Sequence, residues 1–220
     1  MSLQLGLTSQ ILGGRATAIP DSAILHYTFE EGSGSIAVDQ TGNGNDGSIT
    51  GTYDSNAKVG DYCISLDGTD DQIIYPDLGI FGGSQGFAIS IWVNFDDLSS
   101  DSGVAFTWGE YDWRIWHVNG SLVWEMFDGS TEYSVTLTSS PSTGTWYHCV
   151  GDFDGSTMTG YLDSSSQGTD AATDPRSRTE QNAMGSRGNG DLFADARIDD
   201  PVICDDSLSQ SEVDALYNRG

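Results

Sequence analysis

Between Phe87 and Val93 the bulky side chains Phe87, Ile89, Ile91 and Val93 alternate with Ala88, Ser90 and Trp92. Strict alternation sends one set to each face of an extended chain. This segment therefore reads as a strand with its bulky face inward. The rest of the sequence keeps the same scale. Runs of aromatic and β-branched residues are short and are bounded by Gly, Asp, Asn and Ser. Asn119-Gly120 stands between the runs Trp113–Val118 and Ser121–Phe127, and Asn-Gly in that setting is the strongest short hairpin signal. Trp146–Phe153 and residues 158–162 form another pair around Asp154-Gly155-Ser156. Further strands are expected at 24–29, twice within 64–75 around Asp67-Gly68-Thr69-Asp70-Asp71, and at 198–204. Residues 163–190 read as a long polar loop with a short strand near 182–185. A short helix is expected over 209–217. Ser209 and Glu212 have capping-box spacing there, and Val213, Leu216 and Tyr217 make its apolar side. In 220 residues this is the pattern of one all-β sandwich. No apolar run approaches the roughly 18 residues a membrane-spanning helix needs.

Charge narrows the function. Asp and Glu number 33 against 8 Lys and Arg, a formal net charge of -25. Nucleic-acid binding needs clustered bases, so it is excluded as an expectation, and so is attraction to an anionic membrane. Of the acids, 26 are Asp, and Lys58 is the only lysine. They are spread along the chain, which has 37% hydrophobic residues and so is not a disordered acidic tail. A domain of this charge repels itself at low salt and relaxes when salt screens it. Asp-rich, Lys-poor composition suits a salt-loaded cell; a calcium-rich surface protein is the alternative.

Leu3, Leu5 and Leu7 alternate with polar or small residues, and Ile11 and Leu12 follow. The first basic residue, Arg15, comes after this apolar part, unlike the order in a signal peptide. Ala16-Thr17-Ala18 nevertheless mimics a cleavage site. Residues 1–21 are read as an arm that docks on a neighbouring subunit, with a disordered leader as the alternative. Cys63, Cys149 and Cys204 each sit in a strand-like run without metal-pair spacing. Buried free thiols are the default, and one disulfide with a spare thiol stays open.

Six stretches in this order carry a resemblance. They are 25–34 (LHYTFEEGSG), 39–47 (DQTGNGNDG), 64–71 (ISLDGTDD), 87–93 (FAISIWV), Trp146-Tyr147-His148-Cys149-Val150 with Phe153-Asp154-Gly155, and Ile198-Asp199-Asp200 with Leu208-Ser209 and Glu212. Together they resemble the laminin-G-like, concanavalin A-like lectin-glucanase jelly-roll family over about residues 23–218. The resemblance implies two antiparallel sheets of six or seven strands each, a jelly-roll sandwich with a short C-terminal helix, over residues 22–220. Members bind glycans, bind proteins or act as spacers, and distant relatives hydrolyse polysaccharides. Fold alone does not choose between these.

A jelly-roll glycanase places two carboxyls on alternate residues of one strand. The nearest match is Glu110-Tyr111-Asp112, which continues Trp113-Arg114-Ile115 with no second Glu. A non-enzyme is therefore expected. His26, His117 and His148 sit in strand patterns and read as core or surface residues. The hairpin offers more. Trp113 and His117 share one face, Arg114 and Trp116 the other, and Trp124 lies with Leu122 and Met126. Sugar rings stack on aromatic faces while Asp, Asn, Arg and Glu bond their hydroxyls. Trp113, Arg114, Trp116 and Trp124 are the candidate ligand residues, with core packing as the alternative for each Trp.

The loop 39–47 supplies Asp39, Asn43, Asn45 and Asp46, without EF-hand spacing. The resemblance implies a structural Ca2+ joining this loop to the late strand at Asp199 and Asp200. An Asx-rich turn holding no ion is the alternative. The whole reads as a non-catalytic recognition and display domain on an exterior assembly. A virion surface or tail protein of a halophilic system is the first expectation, attaching to host surface glycans or proteins and assembling through residues 1–21; a cell-surface or extracellular site is the second. The alternatives are a purely structural capsid or decoration subunit and a jelly-roll glycoside hydrolase.

Overall fold

A computed structural model describes residues 19–79, 86–99, 112–175, 182–187 and 190–220, and the backbone path of 104–108. The proposed arm, apart from residues 19–21, and Glu110-Tyr111 lie outside the described residues. The first strands are β1 (Ala23–His26), β2 (Ile36–Ala37), β3 (Gly47–Ile49), β4 (Thr52–Asp54), β5 (Cys63–Asp67) and β6 (Ile73–Tyr75). Then come β7 (Phe87–Phe95), β8 (Val104–Trp108), β9 (Trp113–Val118), β10 (Ser121–Phe127) and β11 (Glu132–Thr138). The last are β12 (Trp146–Phe153), β13 (Thr157–Leu162), β14 (Ser165–Ala171), β15 (Asn182–Met184) and β16 (Asp195–Cys204), followed by helix α1 (Gln210–Tyr217).

Two antiparallel sheets of eight strands each result, larger than the six or seven expected. The first runs β14-β13-β12-β7-β16-β5-β4 with β1 also paired to β16; the second runs β11-β10-β9-β8-β15-β6-β3-β2. The extra strands are short or polar. β14 (SSQGTDA) falls in the stretch expected to be loop. It is an edge strand held by its backbone pairing to β13, so it needs no apolar alternation to exist.

The core lies between the sheets. Phe87, Ile89, Ile91, Val93 and Phe95 of β7 all point there and are buried. Facing them from the second sheet are Trp113, Ile115, Leu122, Trp124 and Met126. Phe87 is the hub: its ring centre lies 5.6 Å from Trp113, 6.1 Å from Trp124 and 5.7 Å from Phe153. Gly151 of β12 makes room for Trp124, because a Cβ there would come within 2.5 Å of the indole. The other face of β7 is buried as well. Helix α1 covers it through Val213 and Leu216 on Ala88, Val150 and Val202, and Ile19 packs at the same place. At the helix start Glu212 accepts the Ser209 N–H at 2.8 Å.

The first strand is shorter than the expected 24–29. After His26 the chain leaves the sheet, and Phe29 adopts φ 57°. Phe29 is completely buried, so its ring is held in the core despite a left-handed backbone. All three cysteines are buried and free.

Candidate functional site

The two-residue turn at Asn119-Gly120 fixes the register of β9 against β10. Both turn residues have positive φ, 48° and 75°, as a primed turn requires. Val118 pairs with Ser121, and four steps out Arg114 pairs with Glu125. On β11, Glu132 pairs with Phe127. These residues lie on the outer face of the second sheet, with Trp116 two residues along β9 from Arg114. Arg187, just beyond β15, completes the wall. A cavity of about 380 Å³ is lined by Arg114, Trp116, Glu125, Phe127, Glu132 and Arg187. That volume is in the range of small-ligand sites.

The pocket floor is rigid. Arg114 Nη2 is ion-paired with Glu125 Oε1. The Arg114 guanidinium lies over the Trp116 ring, 3.5 Å from its centre. The Trp116 indole N–H donates to Glu125 Oε2 at 3.3 Å. Glu125 is only 4% exposed and Arg114 8%. Burial outweighs their mutual attraction at both ends. The Glu125 carboxyl is pushed up to about 7, first by burial and then by its hydrogen bond to Glu132. Burial likewise lowers Arg114 from its ordinary value.

Two of the four expected ligand residues are thus in the pocket and two are not. Trp113 and Trp124 are completely buried between the sheets. They have no face to offer a sugar, which corrects the expectation for both. Trp116 and Arg114 point the other way, as alternation along β9 requires. Glu125, Glu132 and Arg187 were not among the expected residues.

The expected calcium ligands are also accounted for. Asp39 accepts N–H bonds from Thr41 (3.0 Å), His26 (3.2 Å) and Asn45 (3.1 Å) and a hydroxyl bond from Thr41. Asp46 accepts the Asp39 N–H at 2.9 Å. The Asn43 and Asn45 side-chain amides donate to the Ile24 carbonyl. Asp199 accepts the Lys58 and Val59 N–H groups, each at 2.8 Å. Asp200 is held by His26 Nε2 at 2.8 Å and by both ends of the Arg219 guanidinium, at 2.6 and 2.9 Å. Most of these carboxylate oxygens face donors, Asp199 Oδ1 being buried without one, and a calcium ion needs 6–8 oxygen ligands. The set does not fit a calcium cage. His26 makes the link expected of the ion: its backbone binds Asp39 and its ring binds Asp200. Among the described residues, the one triple of ligand atoms within 4.8 Å is Asp67, Asp70 and Asp71, largely exposed in the turn after β5.

A family model for the concanavalin A-like lectin/glucanases superfamily matches residues 67–214. The chain belongs to that superfamily. No curated protein matches the sequence. Among solved structures, domain 4 of an extracellular arabinanase from Geobacillus stearothermophilus, in complex with arabinotriose, is similar at 23% identity and TM-score 0.71, over 89% of this chain and 98% of that one. The binding domain of Paraclostridial Mosquitocidal Protein 1 is similar at 18% identity and TM-score 0.72, over 90% of this chain. The ligand-binding domain of botulinum neurotoxin serotype D, in complex with N-acetylneuraminic acid, is similar at 15% identity and TM-score 0.71, again over 90%. This chain spans about half the length of those two toxin chains, 52% and 51%. At these identities the likeness is one of fold.

Proposed function

We propose that this chain is a non-catalytic, lectin-like domain that binds glycan in the pocket on the outer face of its second sheet. One observation carries the reading. The same cavity joins aromatic surface, Trp116 and Phe127, to charged groups fixed in place, Arg114 and Glu125. Sugars need that pairing, a flat apolar face and polar groups that do not have to be ordered on binding. The complexes named for the arabinanase domain and the neurotoxin domain support it. Glu125 and Glu132 do not make a glycosidase pair. Glu125 is tied down by Arg114 at one carboxylate oxygen and by Trp116 at the other, so neither oxygen is free to act on a glycosidic bond.

The finer proposal is display on an exterior assembly, a virion surface or tail of a halophilic system, with residues 1–21 as the attachment. The Asp-rich, Lys-poor composition and the alternating leucines of that segment support it. A glycan array in molar salt tests the binding reading. Wild type should bind a restricted set of glycans and Trp116→Ala should lose them. Silence of the wild type on every glycan overturns it.

A further inference from the structure

The pocket has a composition unlike the rest of the chain. Bases are 8 of 41 charged residues overall, yet two of the four charged side chains lining the cavity are arginines. A neutral sugar can be held by carboxylates, which this chain has in excess. Two arginines in one pocket need a further reason.

The arginines differ in what holds them. Arg114 is committed: its side chain is 9% exposed, ion-paired to Glu125 and flat against Trp116. Arg187 is the more exposed of the two. Its Nε lies 3.1 Å from Asp191 Oδ1, in a pair whose side chains are 22% and 51% exposed. Such surface pairs contribute about 0.2–1 kcal/mol. A ligand carboxylate meeting the planar guanidinium fork with two parallel hydrogen bonds can replace one.

The acids supply the second half. Among the described residues, the charged groups around Glu125 are Arg114 from β9, Glu132 from β11 and Arg187 from beyond β15. Glu132 lines the same cavity as Glu125 and, after burial, is the next cause that makes the Glu125 carboxyl hold its proton more tightly. A third carboxylate entering the cavity strengthens the hold on that proton.

We propose that the pocket is built for an acidic sugar whose carboxylate takes over Arg187 from Asp191, and that docking favours the protonated form of Glu125. The proposal rests on the glycan-binding reading. Affinity for the acidic sugar then rises as the pH falls through neutrality, by at most about tenfold per pH unit for one proton. A neutral sugar shows no such rise.

The test uses four probes in molar KCl: oligogalacturonate, its methyl ester, a sulfated galactan and a neutral galactan. Calorimetry at pH 6 and pH 8, in buffers of different ionisation enthalpy, reads both affinity and proton uptake. We expect oligogalacturonate to bind at least tenfold tighter than its ester at pH 6, where Glu125 already holds its proton, and to take up a proton on binding at pH 8. The preference should shrink at pH 8 and vanish in Arg187→Gln, and Glu132→Gln should flatten the pH dependence. Equal affinity for acid and ester, binding confined to the sulfated or neutral galactan, no proton uptake, or an unaffected Arg187→Gln overturns the proposal. So does silence on all four probes with binding elsewhere on a broad array. Silence across the broad array overturns the glycan reading beneath it.

Discussion

The Arg114 guanidinium lies 3.5 Å from the centre of the Trp116 ring, while the neighbouring Trp113 is completely buried on the opposite face of β9. One strand therefore points a tryptophan to each face, and the proposed binding role falls to Trp116. Trp116→Ala should abolish glycan binding and cost less than about 1.5 kcal/mol, since a partly buried ring on the outer face of the sheet forfeits no core packing. Trp113→Ala or Trp124→Ala should cost about 3–5 kcal/mol through lost core volume. Gly151→Ala should also destabilise, by about 1–3 kcal/mol, because its Cβ would strike the Trp124 indole. Urea unfolding beside glycan titration checks all four. A Trp116→Ala protein as unstable as Trp113→Ala would make Trp116 a structural residue.

Three buried carboxyls, Glu125, Asp152 and Asp199, are each pushed up to about 7, with burial the first cause. A carboxyl raised by folding holds its proton more tightly when folded. Its stabilising contribution is complete below the unfolded value near 4 and is lost as the pH rises through about 7. His148 works the other way. Burial holds it down to about 4, so its contribution is present above about 6.5 and is lost as the pH falls towards 4. Three groups against one leave a net loss of stability as the pH rises from about 4 to about 7. Asp199→Asn keeps the acceptor for Lys58 and Val59 and removes the buried charge, so it should add about 1–3 kcal/mol at pH 8 and little at pH 5. Urea midpoints at the two pH values decide it. A wild type that gains stability from pH 5 to pH 8 contradicts the argument.

The part of this site that periodicity reaches was legible, and a little more could have been. Alternation separates Trp116 and Arg114 from Trp113, but it does not say which face meets the other sheet. Both readings stay open until Phe87, Phe153 and Gly151 are seen to converge on Trp113 and Trp124. Glu125 left a signal. It is a lone charge between Trp124 and Met126, and counting outward from Asn119-Gly120 sets it opposite Arg114. Arg187 left none, because it arrives through the pairing of β15 with β6 and β8, which no local pattern encodes. β14 was missed for the same kind of reason: an exposed edge strand is specified by its neighbour's backbone rather than by its own apolar residues.

The His26–Asp200–Arg219 cluster joins loop 39–47 to β16 through protein groups. Asp200 is 3% exposed with φ 47°, at a break in the register of β16 that turns its carboxylate towards His26 and Arg219. Both partners hold it below the usual carboxylate range despite its burial. Removing one member of a buried pair leaves an uncompensated charge, so Arg219→Ala should cost about 3–5 kcal/mol. Chelation should leave the wild-type Tm unchanged. A Tm that falls with EDTA and recovers with calcium would show that an ion, not His26, ties the loop to the strand.

The net charge of -25 gives the last prediction. Carboxylates such as Asp67, Asp70 and Asp97 are exposed at turns and meet few cations. At about 10 mM salt the Debye length is about 30 Å, the scale of the whole domain, and every such charge feels the others; at about 1 M it is about 3 Å. Tm should therefore climb steeply between 10 mM and 1 M KCl and level off above it. Salt also strengthens apolar burial, and pH separates the two effects. At pH 4.5 many surface carboxylates are protonated, so a repulsion-driven climb should shrink there, whereas one driven by apolar burial should not. A protein fully folded and monodisperse in 10 mM buffer, with a Tm indifferent to KCl at pH 7.5, would remove self-repulsion as a force on this fold and with it the physical case for a salt-loaded setting.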